Sequence, residues 1–232
     1  MPKKYVGKNI FKIDAQEKVT GKAIYPDDIY FDDMLYIKIK RATHPHAYLR
    51  RINISKAQKL PGVVKIITAV DIPEVKNFGL IIKDQPVLIG IGQKMRYMGD
   101  ALAIVIAESK EAASQAIGLI EVEVEELEII SDPLRAMEKD APLIHQDGNI
   151  LATHYLEKGD IKKGFGQADE IVENEYKTSF LDQVPLQVEA GVGFYDEDSK
   201  TIELWSATQW LHDTQADIAQ SLGFPKEKIR II

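Results

Sequence analysis

The 232-residue sequence contains no cysteine. That absence removes disulfides, thiol nucleophiles, structural zinc of the usual kind and cysteine-ligated iron–sulfur clusters from this chain. Any electron carrier that works with it must sit on other polypeptide. No apolar run approaches the length of a membrane span, and Met1-Pro2-Lys3-Lys4 leads into a polar stretch without an apolar signal core. The default expectation is therefore a cytoplasmic protein. Positive charge is also in short supply, with 29 Lys and Arg against 36 Asp and Glu and no basic run, so no nucleic-acid partner is expected. The phosphate-cradling loop Gly-x-x-x-x-Gly-Lys, the dinucleotide fingerprint Gly-x-Gly-x-x-Gly and the nucleophile elbow Gly-x-Ser-x-Gly are all missing. Gly164-Phe165-Gly166 lies in a polar segment with no strand before it and is not read as a dinucleotide loop.

What the sequence does contain is alternating strand and helix signals. With 45% hydrophobic residues it can build one large or two small domains. Leu35–Lys40 alternates apolar and basic residues, the pattern of a half-buried strand. Ser55 is placed to cap a short helix over Lys56–Leu60, which Pro61-Gly62 ends. Val63–Thr68 reads as a buried strand, and Ala101–Ala107, apolar without alternation, as one covered on both faces. A helix follows from about Glu108 to Ile117, with Ser109 as N-cap and Glu111 favouring the helix dipole. In Glu121–Glu125, Val122 and Val124 should face inward and the glutamates should form a solvated face. Prolines and mixed charges mark a boundary over Ser131–Pro142. Beyond it, Asp160 caps a short helical stretch, and Ile171–Phe180 and Ile202–Thr208 read as strands, with a polar turn over Asp196–Lys200. Leu211–Leu222 is a helix with Leu211, Thr214, Ile218 and Leu222 on one stripe, stopped by Gly223 and Pro225. A strand beginning near Lys228 runs to Ile232, so the second domain is expected to be incomplete within these residues.

Residue types that could carry chemistry are few. His44 and His46 have metal-ligand spacing, but without a third ligand they read as structural. His145, His154 and His212 are isolated and read as surface or packing residues. Asp27-Asp28 and Asp32-Asp33 read as turn and capping residues rather than a calcium loop. Tyr97 more often packs its ring than lines a pocket. Gln209, at a strand end just before a helix, occupies a position where α/β architectures bind ligands. From residues alone the chain is a mixed α/β protein of two domains.

Several segments, weak singly, follow one another in a set order. They are Lys18-Val-Thr-Gly-Lys-Ala-Ile-Tyr-Pro-Asp27, His44-Pro-His-Ala47, Ile52-Asn-Ile-Ser-Lys-Ala57 and Leu60-Pro-Gly-Val63. Arg96-Tyr-Met-Gly99 with Ala101–Ala107, and Ala112–Glu125, come next. Asn149, Gly159-Asp160, Gly164-Phe165, Ala168-Asp169 and Ser206-Ala-Thr-Gln209 complete the series. Together they resemble the front portion of the large, molybdenum-cofactor-binding subunit of xanthine dehydrogenase/aldehyde oxidase-type hydroxylases.

The resemblance implies an α+β (mixed α/β) fold: a hammerhead domain over residues 1–131, then the truncated start of a molybdopterin-binding domain over 140–232. It implies a molybdenum cofactor, molybdopterin in its cytosine dinucleotide form, whose metal is ligated by the pterin and not by the protein. The chemistry it implies is hydroxylation of a purine-like N-heterocycle or an aldehyde with water as the oxygen source. Electrons would leave through 2Fe-2S and FAD subunits, and the remainder of the molybdopterin subunit would be a further partner. Gln209 matches the family glutamine that hydrogen-bonds an oxo ligand on molybdenum, the one site residue carried over. No catalytic residue and no metal ligand is assigned, because the family's glycine-rich loop and its glutamate base fall outside these residues. Where the family commonly has a His-x-x-x-Glu-like stretch, this sequence reads Gln183-Val-Pro-Leu-Gln187, and nearby Glu189 is read as a structural carboxylate. Two alternatives stay open: a non-catalytic remnant or scaffold of the same family, and a benzoyl-CoA-type reductase.

Overall fold

The computed structural model describes residues 5–73, 76–79, 82–185 and 188–232. In chain order its elements are α1 (Ala15–Val19), β1 (Tyr36–Arg41), β2 (Ala47–Asn53), β3 (Val63–Thr68), β4 (Asn77–Phe78), β5 (Gln85–Pro86), β6 (Lys94–Met95), β7 (Ala101–Ala107), α2 (Lys110–Leu119) and β8 (Glu121–Glu126). They continue with α3 (Pro133–Ala136), α4 (Ile161–Gly166), β9 (Gly191–Asp196), β10 (Thr201–Ser206), α5 (Leu211–Leu222) and β11 (Ile229–Ile231). The mix of helices and strands is the α+β class expected.

Two antiparallel sheets, ordered β1-β7-β3 and β6-β2-β8, make up the first region. α2 forms where alanine and straight-chain residues dominate and where Ser109 Oγ accepts the Ala112 N–H at 3.0 Å. Its buried Ala113 and Ala116 let the helix lie close over Ala103, Val105 and Ala107 of the central strand β7. The second sheet has its own cluster, with Leu49 and Met95 fully buried. Val122 and Val124 pack inward as predicted. The glutamates between them face out and pair with Arg50, Arg51, Asn53 and Lys56 across the strands.

Four details depart from the pattern read in the sequence. The helix expected over Lys56–Leu60 is a single 3-10 turn, Ala57–Lys59, and Ser55 does not cap it. Ser55 instead donates its N–H to Asn53 Oδ1. In β1, α2 covers the side of Tyr36 and Lys40, whose Nζ donates to the Ile117 carbonyl at 3.1 Å. Ile37 faces the other way and is 62% exposed. The register puts Ile37 opposite Ile106 and Ile39 opposite Ile104, so an isoleucine face looks away from the helix. β3, read as buried, buries fully only Ile66. And 171–180, read as a strand, has no regular secondary structure. Its side chains alternate as a strand requires, but none of the sheets lends it an edge to pair with.

In the second region β10 pairs antiparallel with β9 and parallel with β11. The Asp196–Lys200 turn forms as predicted, Asp196 Oδ1 accepting the N–H groups of Asp198 and Ser199. α5 spans the residues predicted for it and ends on Gly223, whose φ of 61° is the left-handed conformation glycine adopts without strain. Phe31, from the N-terminal segment, stacks on this third sheet, with ring centroids 5.4 Å from Phe194 and 5.6 Å from Trp205.

Candidate functional site

A cleft of about 790 Å³ lies where the N-terminal segment crosses the end of β10. One wall is Ile24, Tyr25, Pro26 and Ile29. Pro26 starts a 3-10 turn whose Asp28 carboxylate accepts the Tyr25 N–H at 3.0 Å, which fixes the approach of this wall. The other wall runs from Trp205 through Ser206, Thr208 and Gln209 to Leu211, with Glu189 at its side. Nothing in the sequence of residues 24–29 marks them as wall residues, because the contact joins segments about 180 positions apart.

Gln209 is therefore where the sequence placed it, between the end of β10 and the start of α5, and it opens into the cleft. Its neighbours are committed to local structure. Thr208 Oγ1 accepts the Trp210 N–H at 3.1 Å and lies 3.0 Å from Thr214 Oγ1. Gln209 is exposed, and its amide has no hydrogen-bond partner among the described residues. The first intrahelical bond of α5 runs from Thr214 N–H to the Trp210 carbonyl, so the N–H groups just ahead of it have no helical acceptor. The Gln209 amide and the helix start make a small neutral donor set, with the Glu189 carboxylate at the side of the cleft. Such a set hydrogen-bonds oxo or phosphate oxygens and leaves metal ligation to the group that carries them. Molybdopterin, which brings its own dithiolene, fits these residues.

The other candidates go elsewhere. His46 is buried beside β2, and its Nδ1 lies 2.6 Å from the Glu128 carbonyl, so Nδ1 carries the proton and donates it. His44 faces Glu126. Tyr97 is exposed and its ring underlies Gly99, where a Cβ would come within 2.9 Å of it. Gly164, Phe165 and Gly166 belong to α4, capped by Asp160, whose Oδ1 accepts the Lys163 N–H. Gln183 is exposed, and Gln187 lies outside the described residues.

A further cluster gives no signal in the sequence. Asp84 Oδ2 lies 2.6 Å from an Arg96 nitrogen and 2.5 Å from His145 Nδ1. Arg96 is only 15% exposed, and the hydrogen bond from His145, with help from Arg96, holds the Asp84 carboxyl below the usual carboxylate range. His145 lies 49 positions from Arg96 and 61 from Asp84, so no local pattern joins the three. The cluster clasps the 132–149 loops to the first region and shares no residue with the cleft.

Residues 20–128 match the family model of the aldehyde oxidase and xanthine dehydrogenase a/b hammerhead domain, and residues 144–232 match that of the molybdopterin cofactor-binding domain. The chain is 40% identical over 227 residues to the nicotinate dehydrogenase large molybdopterin subunit of Eubacterium barkeri, covering 98% of this chain and 53% of that one. It is 31% identical over 229 residues to the xanthine dehydrogenase molybdenum-binding subunit of Escherichia coli O157:H7, covering 95% of this chain and 30% of that one. Among solved structures, the aldehyde oxidoreductase from Desulfovibrio desulfuricans superposes with a TM-score of 0.80 at 28% identity, over 97% of this chain and 26% of that one. The chain thus spans about half the length of the first relative and less than a third of the other two. No helix among the described residues is long and apolar enough to cross a membrane.

Proposed function

The chain belongs to the aldehyde oxidase and xanthine dehydrogenase family, and we propose that it supplies one wall of the cofactor pocket of a molybdenum hydroxylase, with Gln209 as its cofactor-binding residue. The observation that carries this is the uncommitted Gln209 amide in a cleft at a strand end. When bound, molybdopterin supplies two-electron oxidation at carbon, with water as the oxygen source. The residues of this chain bind and orient. Gln209 donates its N–H to an oxygen on the cofactor and, being neutral, adds no competing anion. The start of α5 favours negative charge nearby. Pro26, Ile29 and Trp205 keep water from that side of the cleft.

On this proposal residues 1–131 form the hammerhead domain and 140–232 belong to the molybdopterin-binding domain. The cofactor is the cytosine dinucleotide form, the substrate a small N-heterocycle or aldehyde, and the acceptors are 2Fe-2S and FAD subunits in the cytoplasm. The nicotinate and xanthine dehydrogenase relatives favour the heterocycle over the aldehyde.

The test is to purify the chain together with the products of its neighbouring genes and measure molybdenum by elemental analysis. One molybdenum per chain is expected. Gln209→Ala should lower turnover or cofactor retention about 10- to 100-fold, the usual cost of losing a group that orients a metal centre. A metal-free complex would leave the scaffold role as the better account, and a wild-type rate in Gln209→Ala would remove Gln209 from the site.

A further inference from the structure

The first region encloses a cavity of its own, of about 200 Å³, where the β1-β7-β3 and β6-β2-β8 sheets meet. Its walls are closed by residues between 40 and 124. The floor is apolar: Met95, Leu102 and Ile120 are buried, and Val122 and Val124 lie beside them. The space coincides with a slip in the register of β1 and β7. Lys40 lies opposite Ala103 and Arg41 opposite Ala101, so Leu102 is an extra residue on β7. A bulge of this kind bends its strand and re-aims side chains. Ala103 packs into the core under α2, whereas Leu102 joins the core of the second sheet. The two layers part at this point, and Ala42 on the wall is too small to fill the gap.

The remaining lining residues, Lys40, Arg41, Thr43 and His44, are polar and reach solvent. Glu126 faces His44, 3.6 Å from its Nε2. Lys40 and Arg41 have no such partner. Lys40 Nζ donates to the Ile117 carbonyl at 3.1 Å and Arg41 to the Gly99 carbonyl at 2.8 Å, and neither forms an ion pair among the described residues. An ammonium and a guanidinium each carry further N–H donors, which stay available to an acceptor from outside. Two adjacent cations without a counter-ion, on a chain of net charge −7, mark a place where a small anion is favoured.

A ligand that satisfies both floor and rim has an apolar body and one negative charge. The volume limits the body to about one ring, since an apolar cavity of roughly 150 Å³ holds benzene. Inorganic anions leave the floor uncovered. We propose that this cavity binds a small monocarboxylate, with its ring or short branched chain on Met95, Leu102 and Ile120 and its carboxylate against Lys40 and Arg41. The cavity shares no residue with the Gln209 cleft, so this site stands or falls separately from the cofactor reading.

Benzoate titrated into the full chain should bind with a Kd of about 0.1–1 mM, the range open to so small a ligand. It should shift the methyl resonances of Met95, Leu102 and Ile120. Benzamide, its neutral isostere, should bind about tenfold more weakly, and added salt should weaken benzoate alone. Lys40→Met and Arg41→Gln should each raise the benzoate Kd about tenfold and leave benzamide unchanged. Val124→Phe, which fills the space, should abolish binding of both. The two charge variants lie at the rim, so the test stands on them if Val124→Phe fails to fold. Equal affinity for benzoate and benzamide, charge variants that bind like the wild type, or methyl shifts confined to residues outside the cavity would overturn the proposal. So would loss of benzoate binding in the complex with neighbouring gene products, because other polypeptide would then be the partner of Lys40 and Arg41.

Discussion

The two halves of the molecule hold their apolar residues differently. Between β1 and β8 the chain encloses two buried clusters, one under α2 and one in the β6-β2-β8 sheet. From residue 132 onward only Ala141, Ala219 and Ile229 are buried hydrophobics among the described residues, while Tyr155, Leu156, Val172, Tyr176 and Phe180 stand in solvent. Both halves have strand and helix patterns of similar quality. The difference is that α2 closes over its sheet with small residues, whereas α5 reaches β11 and buries only Ala219. A pattern becomes a core only when a second layer lies within reach. In the first region the chain provides that layer itself; in the second, the exposed side chains are available to other polypeptide.

That contrast can be broken most sharply by truncating one leucine on each side. Leu49→Ala, at a fully buried position, should cost about 2–5 kcal/mol, whereas Leu156→Ala, 95% exposed, should stay within about 0.5 kcal/mol. Urea unfolding midpoints measure both, and equal losses would contradict the division. A smaller effect is expected where the halves are tied together. Asp84→Asn, which leaves the largely buried Arg96 without its carboxylate, should cost about 1–3 kcal/mol. The Asp84 carboxyl is depressed in the folded state. Its contribution is therefore complete above the ordinary aspartate range and is lost as the pH falls through the lower folded value. The acid limb of a stability–pH curve should accordingly shrink in Asp84→Asn; an unchanged limb would assign the acid loss to other carboxylates. The smallest effect tests the helix that closes the first core. Ser109→Ala removes the acceptor for the Ala112 N–H and should cost about 1 kcal/mol, seen as a shift in thermal midpoint that Ser109→Asp largely recovers.

Much of this architecture was legible residue by residue. α5 and its Gly223 stop, the α2 cap at Ser109, the α4 cap at Asp160 and the Asp196 turn all rest on bonds within a few positions, so a short window contains both partners. The inward Val122 and Val124 were legible because their flanking glutamates contrast with them. Errors arose where the deciding partner is distant. The alternation of β1 named two faces, but the one α2 covers depends on a crossover from β7, and it chose the side of Tyr36 and Lys40. The alternation of 171–180 is strand-like, yet the segment has no regular secondary structure, because pairing needs an edge that no local pattern reports. In the site, Gln209 could be found from its place between strand and helix, while Tyr25, Pro26 and Ile29 could not.

By itself the sequence settled the local vocabulary: where helices start and stop, which turns form, and which ordered set of short segments ties the chain to its family. Hydrogen bonds between near neighbours and side-chain periodicity act over a few residues, and they survive whatever the rest of the chain does. Tertiary structure alone decided which face of β1 is covered, that residues 24–29 wall the cleft holding Gln209, and that Asp84, Arg96 and His145 meet. Those outcomes depend on which layers stack on which, and stacking is chosen by the summed burial of surfaces far apart in the chain.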